Sequence, residues 1–369
     1  MTNKPTKRAG GVFLAPPALV VGGYALWCLA QASSLTAPTL SSRTPAASRG
    51  TLHLASFQQD EPKNVSPRPV RSLTIDSVSL TSPDEKTAVG IWNIPDGGGH
   101  MAIYDLATGK KRFQARTEGG FLGGDYIEGV AFAPDSKSFM TGWGGSTVRN
   151  WDAATGQVIA EFKLPLTRPV HLLAISPDGK TFVTGDTFGS VQLWNCATGK
   201  EIRSFAGHKG LLGAGAFSPD GTTLATCGDD HTARLWNVVT GKLRFTLQGH
   251  KDMVYCLAFS HDGKILATGS KDKQIKLWDT QTGREYGTLS GHKDGVYSLA
   301  FSATDHWLAS GSMDGSAGLW QVDVGRLEKT FKVEYGGAYF TAFLAGDTRL
   351  AVANQSTLTL WPLTLSKHP

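Results

Sequence analysis

The sequence has few charged residues and no strong excess of either sign outside its N-terminus. Charged residues make up 18% of the 369 positions, and the net charge is +5. Residues 1–72 contain eight lysines and arginines against two acidic residues, so the remaining chain holds 28 basic and 29 acidic side chains. A nearly neutral body offers no basic stripe that could neutralise phosphates. We therefore expect no nucleic-acid partner.

The chain also lacks the short motifs that mark common catalytic and metal sites. It contains no HExxH, no CxxC and no GxSxG nucleophile elbow. Three of its four cysteines, Cys196, Cys227 and Cys256, follow the N-terminal segment that holds Cys28, and they show no repeat symmetry. Such an odd set favours buried free thiols over a disulfide framework, although an exported protein could pair two of them. We predict no enzyme activity, no cofactor and no metal site.

The first 32 residues have the order of an export signal. Three basic residues within the first eight precede an apolar stretch that ends at Leu29, and Ala30-Gln31-Ala32 offers a small-x-small cleavage site. A Pro-Pro pair leaves residues 18–29 as an apolar core of signal length, whereas residues 12–32 together are just long enough to span a bilayer. We predict a cleaved signal peptide or an uncleaved membrane anchor, and we favour a cytosolic tail least. Either of the first two places the protein outside the cytoplasm or at a membrane.

Residues 33–69 are rich in Ser, Thr, Pro and Ala and show little hydrophobic periodicity. Such a composition buries too little apolar surface to offset the entropy of ordering. We predict a flexible tether between the N-terminal segment and a folded domain at residues 70–365.

From about residue 70 the sequence repeats a unit of about 42 residues. An aromatic residue anchors each copy, and successive anchors are 47, 43, 42, 42, 42 and 41 residues apart. The anchors are Tyr104, Trp151, Trp194, Trp236, Trp278, Trp320 and Trp361. The unit that contains Trp278 has four short apolar runs, at residues 254–259, 265–268, 275–278 and 284–289. Four strands in a 40–45-residue period predict a β-propeller blade, so we expect an all-β ring of seven four-stranded antiparallel blades.

The last copy is too short to form a complete blade. Only eight residues follow Trp361, whereas the fourth strand after Trp278 ends eleven residues on, at Leu289. The unpaired edge that results would be open to other chains. We predict that an N-terminal strand fills it, from residues 68–74 or alternatively from residues 51–57.

The repeats identify a resemblance to the WD40-repeat (WD-repeat) β-propeller family over about residues 70–365. The dipeptide that names the family occurs at Trp151-Asp152 and Trp278-Asp279, and Gly-His pairs occur at residues 207–208, 249–250 and 291–292. With its N-terminal segment, the chain resembles bacterial WD-repeat proteins fused to a signal or anchor. The resemblance implies a monomeric ring closed by strand overlap and used as a platform for partner proteins.

The resemblance also implies a buried hydrogen-bond chain of His, Ser or Thr, Asp and Trp, which we call the tetrad. Matching residue by residue gives three complete tetrads: His208, Thr226, Asp230, Trp236; His250, Thr268, Asp272, Trp278; and His292, Ser310, Asp314, Trp320. A catalytic triad occurs once, in a cleft, with an exposed nucleophile. A set that occurs three times and ends on a Trp is better explained as structure. The other four repeats lack the His and the Asp, and we expect their blades to be less rigid.

The same matching places a candidate docking face around the mouth of the central channel. The face is lined by positions beside the start of each innermost strand and before the tetrad Asp: Tyr126, Glu128, His171, Asp229, Met253, Tyr255, Lys271, Tyr297 and Met313. Tyr and Met among scattered charges are typical of interface centres, although some of these residues could simply pack the channel rim.

The sequence thus predicts a non-catalytic scaffold that presents this face to partner proteins, exported or tethered to a membrane. The alternative is a propeller enzyme or small-ligand-binding protein that acts at the channel mouth. It would need acidic or imidazole groups that converge from several blades, and Glu128, His171 and Asp229 are the candidates.

Overall fold

Short apolar runs separated by Gly, Asp and Pro turns form 28 β-strands in a computed structural model of the chain. The structure describes residues 69, 71–74, 78–94, 98–116, 126–143, 146–166, 170 and 172–365. These residues contain no helix, and hence none that could cross a membrane. The predicted export segment and nearly all of the predicted tether lie outside the described residues.

The strands form seven separate four-stranded antiparallel sheets, numbered here as blades 1 to 7. Blade 1 contains β2 (Val78–Thr81), β3 (Thr87–Ile94), β4 (Gly98–Asp105) and β5 (Lys111–Arg116); blade 2 contains β6 (Ile127–Phe132), β7 (Ser138–Trp143), β8 (Thr147–Asp152) and β9 (Val158–Lys163). Blade 3 contains β10 (Leu172–Ile175), β11 (Thr181–Gly185), β12 (Val191–Asn195) and β13 (Glu201–Phe205); blade 4 contains β14 (Leu212–Phe217), β15 (Thr223–Gly228), β16 (Thr232–Asn237) and β17 (Leu243–Gln248). Blade 5 contains β18 (Val254–Phe259), β19 (Ile265–Ser270), β20 (Gln274–Asp279) and β21 (Glu285–Ser290); blade 6 contains β22 (Val296–Phe301), β23 (Trp307–Ser312), β24 (Ser316–Gln321) and β25 (Arg326–Lys332). Blade 7 contains β26 (Phe340–Leu344), β27 (Arg349–Ala353), β28 (Thr357–Pro362) and β1 (Arg71–Thr74).

The first strand of each blade packs against the first strand of the next blade, and β26 of blade 7 packs against β2 of blade 1. The sheets therefore form a closed ring with the first strands innermost. This confirms the predicted all-β propeller with seven four-stranded antiparallel blades.

An N-terminal strand completes the last blade, as predicted. β1 pairs with β28 in an antiparallel register that sets Arg71 opposite Leu360 and Thr74 opposite Thr357. The first of the two candidate segments, residues 68–74, therefore supplies the closing strand, and residues 51–57 lie outside the described residues. Because the two ends of the folded domain share one sheet, the ring closes only when they meet.

The hydrophobic core lies between blades, and each aromatic anchor packs against the preceding blade. Trp278 of blade 5 clusters with Leu235 and Leu247 of blade 4, and Trp320 of blade 6 clusters with Leu277 and Leu289 of blade 5. Tyr104, Trp151, Trp194, Trp236 and Trp361 have the same relation to the blade before them. The recurring aromatic residue is thus the wedge between neighbouring sheets.

The closing strand offers a direct test of ring closure. Leu73 of β1 is buried in the cluster shared by blades 7 and 1, whereas the adjacent Ser72 is exposed. We expect L73A to lower the free energy of unfolding in urea by about 2–5 kcal/mol, because it leaves a cavity at the closure. S72A should change it by less than about 0.5 kcal/mol. Equal stability of the two variants would contradict closure by β1.

Candidate interaction surface

Hydrogen bonds join each of the three predicted tetrads into one chain. In blade 5 the Trp278 Nε1–H donates to Thr268 Oγ1 at 2.8 Å, and the Thr268 hydroxyl donates to His250 Nε2 at 2.8 Å. His250 Nδ1–H then donates to the Asp272 carboxylate at 2.9 Å. A carboxylate only accepts, so the ring proton lies on Nδ1 and Nε2 is left to accept. The same bonds measure 2.7–3.1 Å in blades 4 and 6.

The carboxylate of each tetrad also binds backbone. Asp272 accepts from the N–H groups of Lys251 at 2.8 Å and Gln274 at 3.0 Å. Burial raises the pKa of Asp272, but the hydrogen bonds from His250 and these amides outweigh burial and bring the pKa to about 2. The pKa values of Asp230 and Asp314 are lowered in the same way, by their histidines, neighbouring hydroxyls and backbone N–H groups against the effect of burial.

The tetrads hold the loops that carry the candidate docking residues. His250 begins the segment that leads to Met253, and Lys271 directly precedes Asp272. The two loops are tied by a hydrogen bond from the Lys271 N–H to the Met253 carbonyl at 2.9 Å and by one from Ser270 Oγ to the Asp252 carbonyl at 3.1 Å. Blade 6 repeats both bonds, with Met313 in the place of Lys271. Hydrogen bonds thus connect the tetrad to the loop ends.

Three tyrosines at a 42-residue step form a row across blades 5, 6 and 7. Tyr255 stacks on Tyr297 with ring centroids 4.4 Å apart, and Tyr297 meets Tyr339 edge-on at 5.9 Å. The Tyr339 hydroxyl donates to Met313 Sδ at 3.1 Å, and burial raises the pKa of Tyr339, which keeps this donor protonated. We call Tyr255, Tyr297, Tyr339 and Met313 the tyrosine face.

Tyr339 is a member of this row that the sequence prediction missed. The signal was present, because Tyr339 follows Tyr297 by the same 42 residues that separate Tyr297 from Tyr255. The row stops at blade 4 for a steric reason. Gly213 holds the equivalent position there, and a Cβ at that residue would lie 2.3 Å from the Val254 carbonyl oxygen.

The predicted docking residues differ in how much surface they offer. Met253 and Tyr255 are only 8% and 7% exposed, so they support the rim rather than present area to a partner. Tyr297 and Met313 are half-buried, and Lys271 is exposed, with its ammonium 3.7 Å from the Asp252 carboxylate. The accessible part of the face therefore centres on blades 5 and 6.

The remaining predicted residues belong to other blades. Asp229 is exposed at the equivalent corner of blade 4, and Tyr126 and Glu128 are half-buried in blade 2. His171 lies outside the described residues. The structure therefore gathers the blade 5 and blade 6 candidates into one cluster and leaves Tyr126 and Glu128 on a different part of the ring.

Blades without a tetrad satisfy their anchors differently. In blade 2 both Trp143 and Trp151 donate to Thr141 Oγ1, at 2.7 and 2.8 Å. The Arg149 guanidinium lies 4.6 Å from the Trp143 ring and binds Glu161 at 2.7 Å. Trp143 is thus a second donor to the hydroxyl, whereas the histidine of a tetrad accepts from it. The lower rigidity expected of blades 1, 2, 3 and 7 stays a prediction.

Blade 7 provides no acceptor for its anchor. Trp361 Nε1 is buried, and no described residue accepts a hydrogen bond from it. Trp361 pairs with Leu350 as Trp236 pairs with Leu224, so Val352 stands where blade 4 has Thr226. One methyl group in place of a hydroxyl therefore leaves the indole N–H unsatisfied.

The remaining reactive groups are the cysteines and the acidic and imidazole side chains. In the described part of the chain, Cys196, Cys227 and Cys256 form no disulfide bond, and burial, with a smaller effect of Asp178, raises the pKa of Cys196 to about 12. Among the residues that the structure describes, no group of three or more His, Cys, Asp or Glu side chains is placed to hold a metal ion.

Seven four-stranded sheets with an aromatic wedge at every interface define a seven-bladed β-propeller, and the comparison with family profiles supports a WD40-type propeller. The family profile described as the IFT122 first beta-propeller matches residues 213–365, from within β14 of blade 4 to the end of blade 7. A search of curated proteins found no match to the chain.

The unsatisfied anchor of blade 7 leads to a stabilising substitution. V352T replaces a methyl group by a hydroxyl that can accept from Trp361 Nε1 and donate towards Thr359, the residue opposite it in β28. We expect the free energy of unfolding to rise by about 1 kcal/mol. The matched variant T184V removes the acceptor of Trp194 in blade 3 and should cost about 1–3 kcal/mol. A loss of stability in V352T would contradict this account of the anchor.

The tetrads also predict an acid-dependent loss of stability. The folded pKa of Asp272 is about 2, below its ordinary value of 3.8, so its ionised form stabilises the fold above about pH 4 and this contribution is lost as the pH falls towards 2. We expect D272N to be less stable than the wild type at pH 7 and the two to converge near pH 2. Urea unfolding at stepped pH values measures both, and a gap that does not change with pH would rule this out.

Proposed function

We propose that this propeller is a non-catalytic scaffold that binds partner proteins at the tyrosine face. The observation that carries the proposal is the stacked row Tyr255–Tyr297–Tyr339, fixed at the ends of the innermost strands and bordered by exposed Lys271. Aromatic rings and Met beside scattered charges are the composition of binding hot spots. Because stacking already restricts these rings, little side-chain entropy remains to be lost on binding.

The geometry of the tetrads supports a non-catalytic role. The hydroxyls of Thr226, Thr268 and Ser310 are fully buried, and each is engaged by both an indole and an imidazole. A nucleophile has to reach its substrate. These hydroxyls hold the fold together instead.

We further propose that residues 1–32 direct export or anchor the protein in a membrane. The support is the order of a basic start, an apolar core and a small-x-small site in the sequence. Mass analysis of the N-terminus of protein isolated from its native host distinguishes a cleaved signal from an anchor. An intact N-terminus in the soluble cytosolic fraction would contradict both.

Partner capture with paired variants tests the docking face. K271E/Y297A alters the tyrosine face, and K264E/Y286A makes the same changes at exposed residues of blade 5 away from it, Lys264 at the opposite end of β19 and Tyr286 on the outer strand. We expect full-length wild type and K264E/Y286A to capture the same proteins from host extract, and K271E/Y297A to lose at least one of them by about tenfold or more.

Circular dichroism and thermal unfolding establish that both double variants keep the ring. Capture of the same proteins in the same amounts by all three forms would place the docking site elsewhere and refute the proposal.

A further inference from the structure

The turn between the first and second strands of every blade has a left-handed backbone at one equivalent position, and in blade 7 the two preceding residues, Ala345 and Gly346, are left-handed as well. The φ angles lie between 58° and 71° at Glu85, Ser136, Gly179, Gly221, Gly263, Asp305 and Asp347. Glycine adopts this conformation freely, whereas Glu and Ser rarely do. Four of the seven positions are not glycine, so their side chains must supply something that offsets the backbone cost.

Three of these side chains are carboxylates that accept backbone N–H groups from the same turn of the preceding blade. Asp305 of blade 6 accepts from His261 N at 2.6 Å and Asp262 N at 3.0 Å, and also from His261 Nδ1 at 2.9 Å. Asp347 of blade 7 accepts from Ala303 N at 2.9 Å. Glu85 of blade 1 accepts from Ala345 N of blade 7 at 2.5 Å.

The other four interfaces join the same two turns by different chemistry. Ser136 Oγ of blade 2 accepts from Asp84 N of blade 1 at 3.0 Å. At the next three interfaces a glycine faces a proline ring, and a Cβ on that glycine would lie 3.5–3.7 Å from the proline Cδ. The pairs are Gly179 with Pro134, Gly221 with Pro177, and Gly263 with Pro219.

The two kinds of contact follow from whether the preceding turn has an N–H to satisfy. Where its second residue is Pro134, Pro177 or Pro219, no donor exists and the following blade needs only glycine. Where that residue is His261, Ala303 or Ala345, a donor exists and the following blade supplies a carboxylate. The interface between blades 1 and 2 is an exception, because Pro83 has no N–H and yet the following blade carries Ser136, which accepts from the next N–H, that of Asp84.

We propose that these seven left-handed residues form a turn belt around the ring, in which Glu85, Asp305 and Asp347 are latches that replace proline–glycine contacts. Asp347 and Glu85 hold the two sides of blade 7, and Asp305 joins blades 5 and 6. Blade 7 needs them most, because its outer strand β1 has four residues and comes from the other end of the domain. Burial raises the pKa of Asp347, because a negative charge is unfavourable there. Asp347 therefore contributes through its oxygen atoms as hydrogen-bond acceptors rather than through its charge.

A double-mutant cycle tests the latch between blades 6 and 7. A303P removes the donor at a position where four other turns carry proline, and D347G removes the acceptor. The double variant A303P/D347G rebuilds the proline–glycine contact. We expect its thermal midpoint to exceed the sum of the single effects by about 2–4 °C in the full chain.

The mispaired double variant A303P/E85G is the control, since Glu85 belongs to the interface between blades 7 and 1. Its midpoint should lie within about 1 °C of additivity. D347N, which keeps an oxygen acceptor, should lose less than D347G. Additivity in both double variants, or equal losses in D347N and D347G, would overturn the proposal.

Discussion

Each blade interface is built around a buried aromatic ring, and in six of the seven blades that ring is an indole with one N–H to satisfy. The indole supplies much of the apolar area between blades, but an unpaired N–H would cost about as much as a lost hydrogen bond. A hydroxyl on the neighbouring strand accepts it, and that hydroxyl then has its own proton to place. Imidazole accepts this proton, and the ring's other N–H requires a carboxylate. Burying one tryptophan therefore accounts for each of the other three residues of the tetrad in turn.

The same chain of bonds connects the core to the surface. It begins at the interior Trp278 and ends at Asp272, whose carboxylate holds the backbone beside His250. The candidate docking residues lie on the two loops that this carboxylate and histidine fix. Blades 4, 5 and 6 carry complete tetrads, and blades 5 and 6 also carry Tyr255, Tyr297 and Met313. Two of the three blades with complete tetrads are thus the blades that display the candidate interaction surface.

The 42-residue period and the aromatic anchors were sufficient to predict the ring, its seven blades and its closure by an N-terminal strand, because each depends on spacing along one chain. They left two segments as candidates for that strand. Features that depend on pairing between chain segments were harder to foresee. β19 extends to Ser270, beyond the predicted apolar run, where Ser270 pairs with Val254 and its buried side chain bonds the loop that enters the blade. Counting ten residues back from Trp361 points to Ala351, whereas a hairpin shorter by one residue puts Val352 at the position of the tetrad hydroxyl. The burial of Tyr255 arises from stacking on a neighbouring blade, which no single repeat reveals.

The two ends of the blades carry different constraints. At the end of each blade that carries the candidate docking residues, the tetrad hydrogen bonds lie within one blade. They connect its second and third strands to the loop that enters it, so the surface residues between these bonds are free to differ from blade to blade. At the turn end, contacts run between blades, and the residue in one turn restricts the residue in the next. The contacts that align neighbouring blades therefore do not restrict which residues occupy the docking positions. This separation explains how a row of tyrosines can occupy three neighbouring blades while Gly213 and Glu128 take the same position in two others without a change in the architecture of the ring.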